Sequence, residues 1–121
     1  HEAKKNNQHE VVMWGTGSPL REFLHADDLA DACFFLMNHY NEPGLVNIGV
    51  GEDIAIRELA LMIKDVVGYK GAIVHDLSKP DGTPRKLMDV SRINALGWRA
   101  KTGLKEGIKG VYNGLKNEEW Y

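Results

Sequence analysis

The hydrophobic positions change period along the chain, and the changes mark out its elements. Val11-Val12-Met13-Trp14 is a short β-favouring run, followed by a cluster of turn formers, Gly15-Thr16-Gly17-Ser18-Pro19. Residues 21–24 predict a second short strand. The period then becomes helical. Leu29, Ala32, Cys33, Leu36, Met37 and Tyr40 recur at spacings of three and four, which lays one apolar stripe along a helix. Asp27 and Asp28 stand at its start, where carboxylates accept free backbone N–H groups and oppose the helix dipole. Pro43-Gly44 ends it. Residues 45–50 predict a strand, and Ile56–Val67 a helix with Ile56, Leu59, Ala60, Ile63, Val66 and Val67 facing inward and Gly68 as its stop.

Residues 72–74 predict another short strand, and a loop of breakers follows, Lys79-Pro80-Asp81-Gly82-Thr83-Pro84. Two helices complete the pattern. The first covers 91–96 and is closed by Gly97, the residue that most easily takes the left-handed cap conformation. The second covers 102–116, with Leu104, Ile108, Val111, Tyr112 and Leu115 as its stripe. Gly107, Gly110 and Gly114 inside it cost about 1 kcal/mol each relative to alanine, so close packing or fraying is expected there. Short strands mixed with amphipathic helices predict an α/β fold of α+β character, with small sheets and several packed helices.

The chain has 121 residues, 43% hydrophobic and 26% charged, which suits one ordinary globular domain over 1–121. A complete two-domain dinucleotide enzyme needs about twice this length or more. The formal net charge of −2 gives no general pull toward nucleic acid or an anionic membrane. No apolar run approaches the roughly 20 residues of a membrane span, and the polar start, 1–10, shows no secretory signal. That start reads as the frayed end of a helix whose apolar face lies upstream, so the chain is expected to begin in mid-architecture. Cys33 is the single cysteine; this fits a reducing cytoplasm, and its place on the stripe predicts a buried small hydrophobe. The histidines and Cys33 show no metal-ligand spacing.

Two patterns imitate catalytic motifs. The first is a strand leading into Gly49-Val50-Gly51, then a helix, then a strand ending at Asp76, which is the order of a dinucleotide-binding unit. Ile54 stands where the third glycine belongs, and Glu52 and Asp53 would oppose a pyrophosphate, so the segment reads as a glycine turn. The second is Tyr112 and Lys116, four apart on a helix, like a tyrosine–lysine proton-transfer pair. Tyr112 belongs to the apolar stripe, so it reads as a packed side chain beside a solvated lysine. No residue of this chain is therefore assigned a catalytic role.

Two further segments are more specific. One is Trp14-Gly-Thr-Gly-Ser-Pro-Leu-Arg-Glu-Phe-Leu-His-Ala-Asp-Asp28. The other is Asp76-Leu-Ser-Lys-Pro-Asp-Gly-Thr-Pro-Arg-Lys-Leu-Met-Asp89, followed by Leu96-Gly-Trp98. Together they resemble the GDP-L-fucose synthase family of the extended short-chain dehydrogenase/reductases, and the resemblance runs over nearly the whole chain. It implies a C-terminal, substrate-binding part of a Rossmann-type enzyme. The NADP-binding domain, the catalytic serine, the tyrosine–lysine pair and the acid/base histidine would all lie upstream. It implies a cytoplasmic, homodimeric whole enzyme that uses NADPH to convert GDP-4-keto-6-deoxy-D-mannose to GDP-L-fucose. Trp14, Arg21, Asp81 and Lys86 match the family's substrate-contacting positions.

The chemistry of those residues suits such a ligand. A GDP-sugar offers a flat purine, a diphosphate and hydroxyl groups, and calls for an aromatic wall, fixed cations and a few acceptors. Each also has a plain structural alternative: Trp14 as core and Arg21 as a partner of Asp27 or Asp28. Lys86 with Arg85 reads as a solvated pair, and Asp81-Gly82 as a turn. His25 reads as structural, beside Asp27 and Asp28. A UDP- or dTDP-sugar epimerase or dehydratase, or a non-catalytic nucleotide-sugar-binding module, remain the alternative functions.

Overall fold

Two stretches far apart in sequence run side by side. In the computed structural model, which describes residues 1–116, a short helix α1 (Glu2–Lys5) leads into strand β1 (Glu10–Trp14). Strand β2 (Leu20–Arg21), helix α2 (Ala26–His39), strand β3 (Ile54–Ala55) and helix α3 (Ile56–Val67) follow. Strands β4 (Ala72–Asp76) and β5 (Arg85–Lys86) and helices α4 (Ser91–Ala95) and α5 (Leu104–Leu115) complete the order. The mixture of helices and short strands is the α/β arrangement with α+β character that the periodicity predicts.

The sheets are small. β1 pairs with β4 in parallel, from Glu10 opposite Ala72 to Trp14 opposite Asp76. β2 is the centre of a second sheet, antiparallel to β3 and parallel to β5. The connection from β1 to β4 carries α2 and α3, as a parallel pair requires a long crossover.

Two apolar clusters hold these elements. Ala32, Val90, Ile93 and Trp98 form one, with Leu24, Phe35, Leu36, Val46 and Ile48 packed on it. Ile93 is fully buried, so truncating it to alanine costs about 2–5 kcal/mol. Ala3, Val67 and Tyr69 form the other, against Tyr112. Lys4 joins it from the side, donating from Nζ to the Val67 carbonyl at 2.7 Å and so closing the end of α3. Gly68 and Gly97 follow their helices with φ of +70° and +102°, as their stop positions predict.

Three local expectations are corrected. Residues 45–50 form no strand. Side chains hold the segment at its two ends instead: Arg92 Nη1 donates to the Leu45 carbonyl at 2.9 Å, and Glu22 accepts from the N–H of Gly51, just beyond it. The buried face of α2 runs through Asp28, Ala32, Phe35 and Leu36, while Leu29, Phe34 and Met37 point outward. Cys33 is accordingly exposed. The helix is apolar on more than one side, and the side that meets Trp98 and Ile93 is the one the core takes.

The third correction concerns the start of α2. His25 is the cap, its Nδ1 accepting from Asp27 N–H at 3.2 Å. Asp28 faces away from its own helix end and is only 5% exposed. It accepts from Lys101 N–H at 3.2 Å and Thr102 N–H at 2.8 Å, just ahead of α5. One turn on, Asp31 accepts from the Trp98 indole at 2.8 Å. α2 thus holds the 98–102 segment by two carboxylates.

Candidate functional site

The partnership of β1 with β4 continues beyond the strands. Gly15 N–H donates to the Asp76 carbonyl, and Leu20 N–H donates to the Pro84 carbonyl at 2.8 Å. Leu20 then stands opposite Arg85, and Arg21 opposite Lys86. The segment 14–21 and the segment 76–86 therefore form one continuous ribbon, parallel at both ends. Three extra residues in the second segment are absorbed by its loop. All four residues singled out from sequence, Trp14, Arg21, Asp81 and Lys86, fall on this ribbon.

Asp81 ties the loop down. Its Oδ1 accepts from Thr16 N–H at 2.8 Å and its Oδ2 from the Thr16 hydroxyl at 2.6 Å. Gly15, at φ +73°, lies directly beneath: a Cβ there would stand 2.4 Å from Asp81 Oδ1. The Thr16 hydroxyl and amide, with smaller help from Ser18 and Gly17, hold the Asp81 carboxyl below the ordinary carboxylate range. At the start of the ribbon Trp14 is 72% exposed, which removes the core reading. The Lys79 ammonium lies 5.5 Å from its ring centroid.

The cations divide into two kinds. Arg85 is a structural partner: its Nε lies 2.5 Å from Asp53 Oδ2, and that carboxylate is only 11% exposed. The hydrogen bond and charge of Asp53 push the Arg85 pKa up. The expected solvated pair of Arg85 with Lys86 is thus replaced by a fixed Arg85 and an uncommitted Lys86. Arg21 is also uncommitted. It donates to the neighbouring Leu20 carbonyl, and among the described residues neither Arg21 nor Lys86 makes an ion pair. The expected partnership of Arg21 with Asp27 or Asp28 does not form. Its guanidinium reaches the Asp81–Gly82 loop instead, with Nη2 3.3 Å from where a Cβ on Gly82 would stand.

Arg21 and Lys86 line one groove of about 480 Å³, with Glu22, Ile48, Gly49 and Met88 as its other walls. The Glu22 carboxylate in the same wall is engaged by the Gly51 and Met88 N–H groups and pairs with neither cation, so two like charges stand side by side, an arrangement for binding an anion of more than one charge. A larger, mainly apolar groove of about 610 Å³ lies between α3, α5 and residues 23–27 and shares Leu24 with the charged one. It carries no such charge pair.

Sequence reasoning passed over Glu22, Thr16 and Asp53. Glu22 had a signal, the pair Gly49 and Gly51, because closely spaced glycines mark a place where something approaches the backbone. What approaches is the Glu22 carboxylate. Oε1 accepts from Gly51 N–H at 2.7 Å, and a Cβ on Gly49 would lie 2.3 Å from that oxygen. These glycines do not fit a dinucleotide pyrophosphate, since a carboxylate already occupies the space and one of the donors. In the tyrosine–lysine pair, Tyr112 Oη lies 3.2 Å from His1 Nδ1, and Lys116 Nζ 3.3 Å from Asn113 Oδ1.

Comparison with known proteins defines the class. Residues 1–49 match the model of the NAD dependent epimerase/dehydratase family, and the chain belongs to that family, the extended short-chain dehydrogenase/reductases. Within it, the chain is 58% identical over all 121 residues to "Putative GDP-L-fucose synthase 2" of Arabidopsis thaliana and covers 35% of that protein. It thus spans about a third of the length of the curated relatives it matches. Among solved structures it is similar to the GDP-mannoheptose C4 reductase of Campylobacter jejuni with NADP bound. That match has 43% identity and a TM-score of 0.80 over 90% of this chain and 35% of the reductase. It is also similar to a GDP-L-fucose synthetase of Naegleria fowleri bound to NADP. There the identity is 30% and the TM-score 0.83, over 89% of this chain and 34% of that one.

Proposed function

We propose that this chain supplies the sugar-nucleotide-binding part of an NADPH-dependent epimerase-reductase that converts GDP-4-keto-6-deoxy-D-mannose to GDP-L-fucose. Residues 1–121 form its substrate-binding domain. The observation that carries the reading is the ribbon, which sets two uncommitted cations side by side and places Trp14 and Asp81 on the same pair of segments. Arg21 takes the diphosphate through its fork of donors and Lys86 adds a second charge. The exposed Trp14 indole offers a flat apolar wall, and the remaining acceptor capacity of Asp81 meets sugar hydroxyls or base N–H groups.

In this reading the whole enzyme epimerises C3 and C5 of the keto sugar and reduces C4, and NADPH supplies the hydride. The glycines of this chain do not fit the cofactor, so NADP is held mainly by residues outside it. By itself the chain carries neither chemical step; its residues bind and orient the sugar nucleotide. The whole enzyme acts as a homodimer in the cytoplasm.

The test uses the full-length protein that carries this chain. Turnover of the GDP-keto sugar with NADPH is expected, inhibited competitively by GDP and not by UDP. Arg21→Ala weakens GDP and leaves NADPH binding unchanged. Inhibition by UDP or dTDP equal to that by GDP would point to a different nucleotide-sugar enzyme. Unchanged GDP inhibition in Arg21→Ala would remove the assignment of the site.

A further inference from the structure

Among the described residues, Glu22 is the one carboxylate in the wall of the groove that Arg21 and Lys86 line. An anion beside a phosphate-binding pair works against binding unless its charge is spent elsewhere. Here it is spent on backbone. Oε1 accepts from Gly51 N–H at 2.7 Å and Oε2 accepts from Met88 N–H at 3.0 Å. Met88 lines the groove, and Gly51 follows its Ile48–Gly49 wall by two residues; neither segment has regular structure. Residues 45–51 form neither strand nor helix, and β5 ends at Lys86, immediately before Leu87 and Met88. Glu22 itself follows Arg21 directly, so one half-buried side chain joins the three segments that face the groove.

The fit is tight enough to dictate sequence. Gly49 is buried, and a Cβ there would lie 2.3 Å from Glu22 Oε1 and 2.9 Å from its Cδ, so only glycine lets the carboxylate reach both donors. A glutamine would keep one acceptor and present an amide N–H₂ to the other N–H, so it can serve only one wall.

The geometry points to Glu22 as a positioning residue: its bridge between Gly51 and Met88 sets the separation of Arg21 and Lys86, and so the affinity for the diphosphate of the sugar nucleotide. This rests on the proposed binding role of those two cations. Glu22 does not touch the ligand and acts through the walls it joins.

The test is steady-state kinetics of the full-length protein with Glu22→Gln and, separately, Gly49→Ala, which keeps the carboxylate and displaces it. Both are expected to raise KM for the GDP-keto sugar by about tenfold, the scale of one lost hydrogen bond to a charged group. kcat at saturation should stay within about twofold and KM for NADPH should not move, the pattern of lost uniform binding. Arg21→Ala run alongside separates the two claims. If it raises KM and the Glu22→Gln and Gly49→Ala variants lower only the melting temperature, Glu22 is structural and this inference is overturned. If Arg21→Ala leaves KM unchanged, the binding role of the cations fails first. A fall in kcat with KM intact in Glu22→Gln would also overturn it.

Discussion

Arg21 and Lys86 stand opposite one another in adjacent parallel strands, and the ion pair next to them belongs to Arg85. One strand thus carries a committed cation and a free one in successive positions. Side chains alternate between faces along a strand. Arg85 therefore turns to Asp53 while Lys86 turns to the groove shared with Arg21.

The first consequence concerns geometry as well as charge. Arg21→Ala and Lys86→Ala in the full-length protein should each raise KM for the sugar nucleotide by about 10- to 100-fold, the range of a lost charge-assisted contact to phosphate. Arg21→Lys keeps the charge and loses the planar fork, and should still weaken binding by about tenfold. Full activity in Arg21→Lys would show that charge alone suffices at this position.

Arg85 behaves differently. Arg85→Ala should lower the melting temperature because it strands the largely buried Asp53 carboxylate. Asp53→Asn should do so less, and the double variant should cost little beyond Arg85→Ala alone. A thermal-melt double-mutant cycle measures the coupling. Additive losses would mean that the pair contributes nothing as a pair.

How far the sequence carries depends on which interactions are local. The helices Ile56–Val67 and 102–116 follow from apolar spacing, and the first also from its Gly68 stop, signals that are local to the element, and α3 and α5 occupy those places. The failures are where partners are remote. Residues 45–50 have the composition of a strand, but a strand needs a neighbour, and here Arg92, Asn47 and Glu22 satisfy the backbone or bridge to it. In α2 the apolar residues cover more than one face, so spacing alone does not choose between Leu29–Cys33 and Ala32–Phe35; the position of Trp98 chooses. The two segments of the candidate site are conspicuous in the sequence, yet their parallel pairing at 62 residues' separation in β1 and β4 is invisible to periodicity. Glu22 was hidden because its evidence, two glycines, lies 27 and 29 residues away from it.

The glycines of α5 divide by what surrounds them. Gly107 is buried, and a Cβ on it would lie 3.0 Å from His25 Cδ2, whereas Gly110 and Gly114 face open space. Gly110→Ala should therefore stabilise the protein by about 0.5–1 kcal/mol, the helix-propensity difference. Gly107→Ala should destabilise it by pushing on the ring that caps α2. Paired thermal melts check both signs. Stabilisation by Gly107→Ala would mean the His25 ring yields without loss of its cap.

Asp28 makes the fold sensitive to acid. Burial alone would raise its carboxyl, but the hydrogen bonds from Thr102 and then Lys101, with the charge of His25, outweigh that and lower it below the ordinary value of 3.8. A carboxylate depressed in the folded state binds fewer protons there than in the unfolded chain. Its contribution is complete above the ordinary value and is lost as pH falls from there through the lower folded value. Asp28→Asn removes that term. It should melt at lower temperature than the wild type at pH 7, and the difference should shrink as pH drops below about 4. A gap that stays constant from pH 7 to pH 3 would mean that the amide's altered hydrogen bonding, and not the carboxylate charge, accounts for the loss.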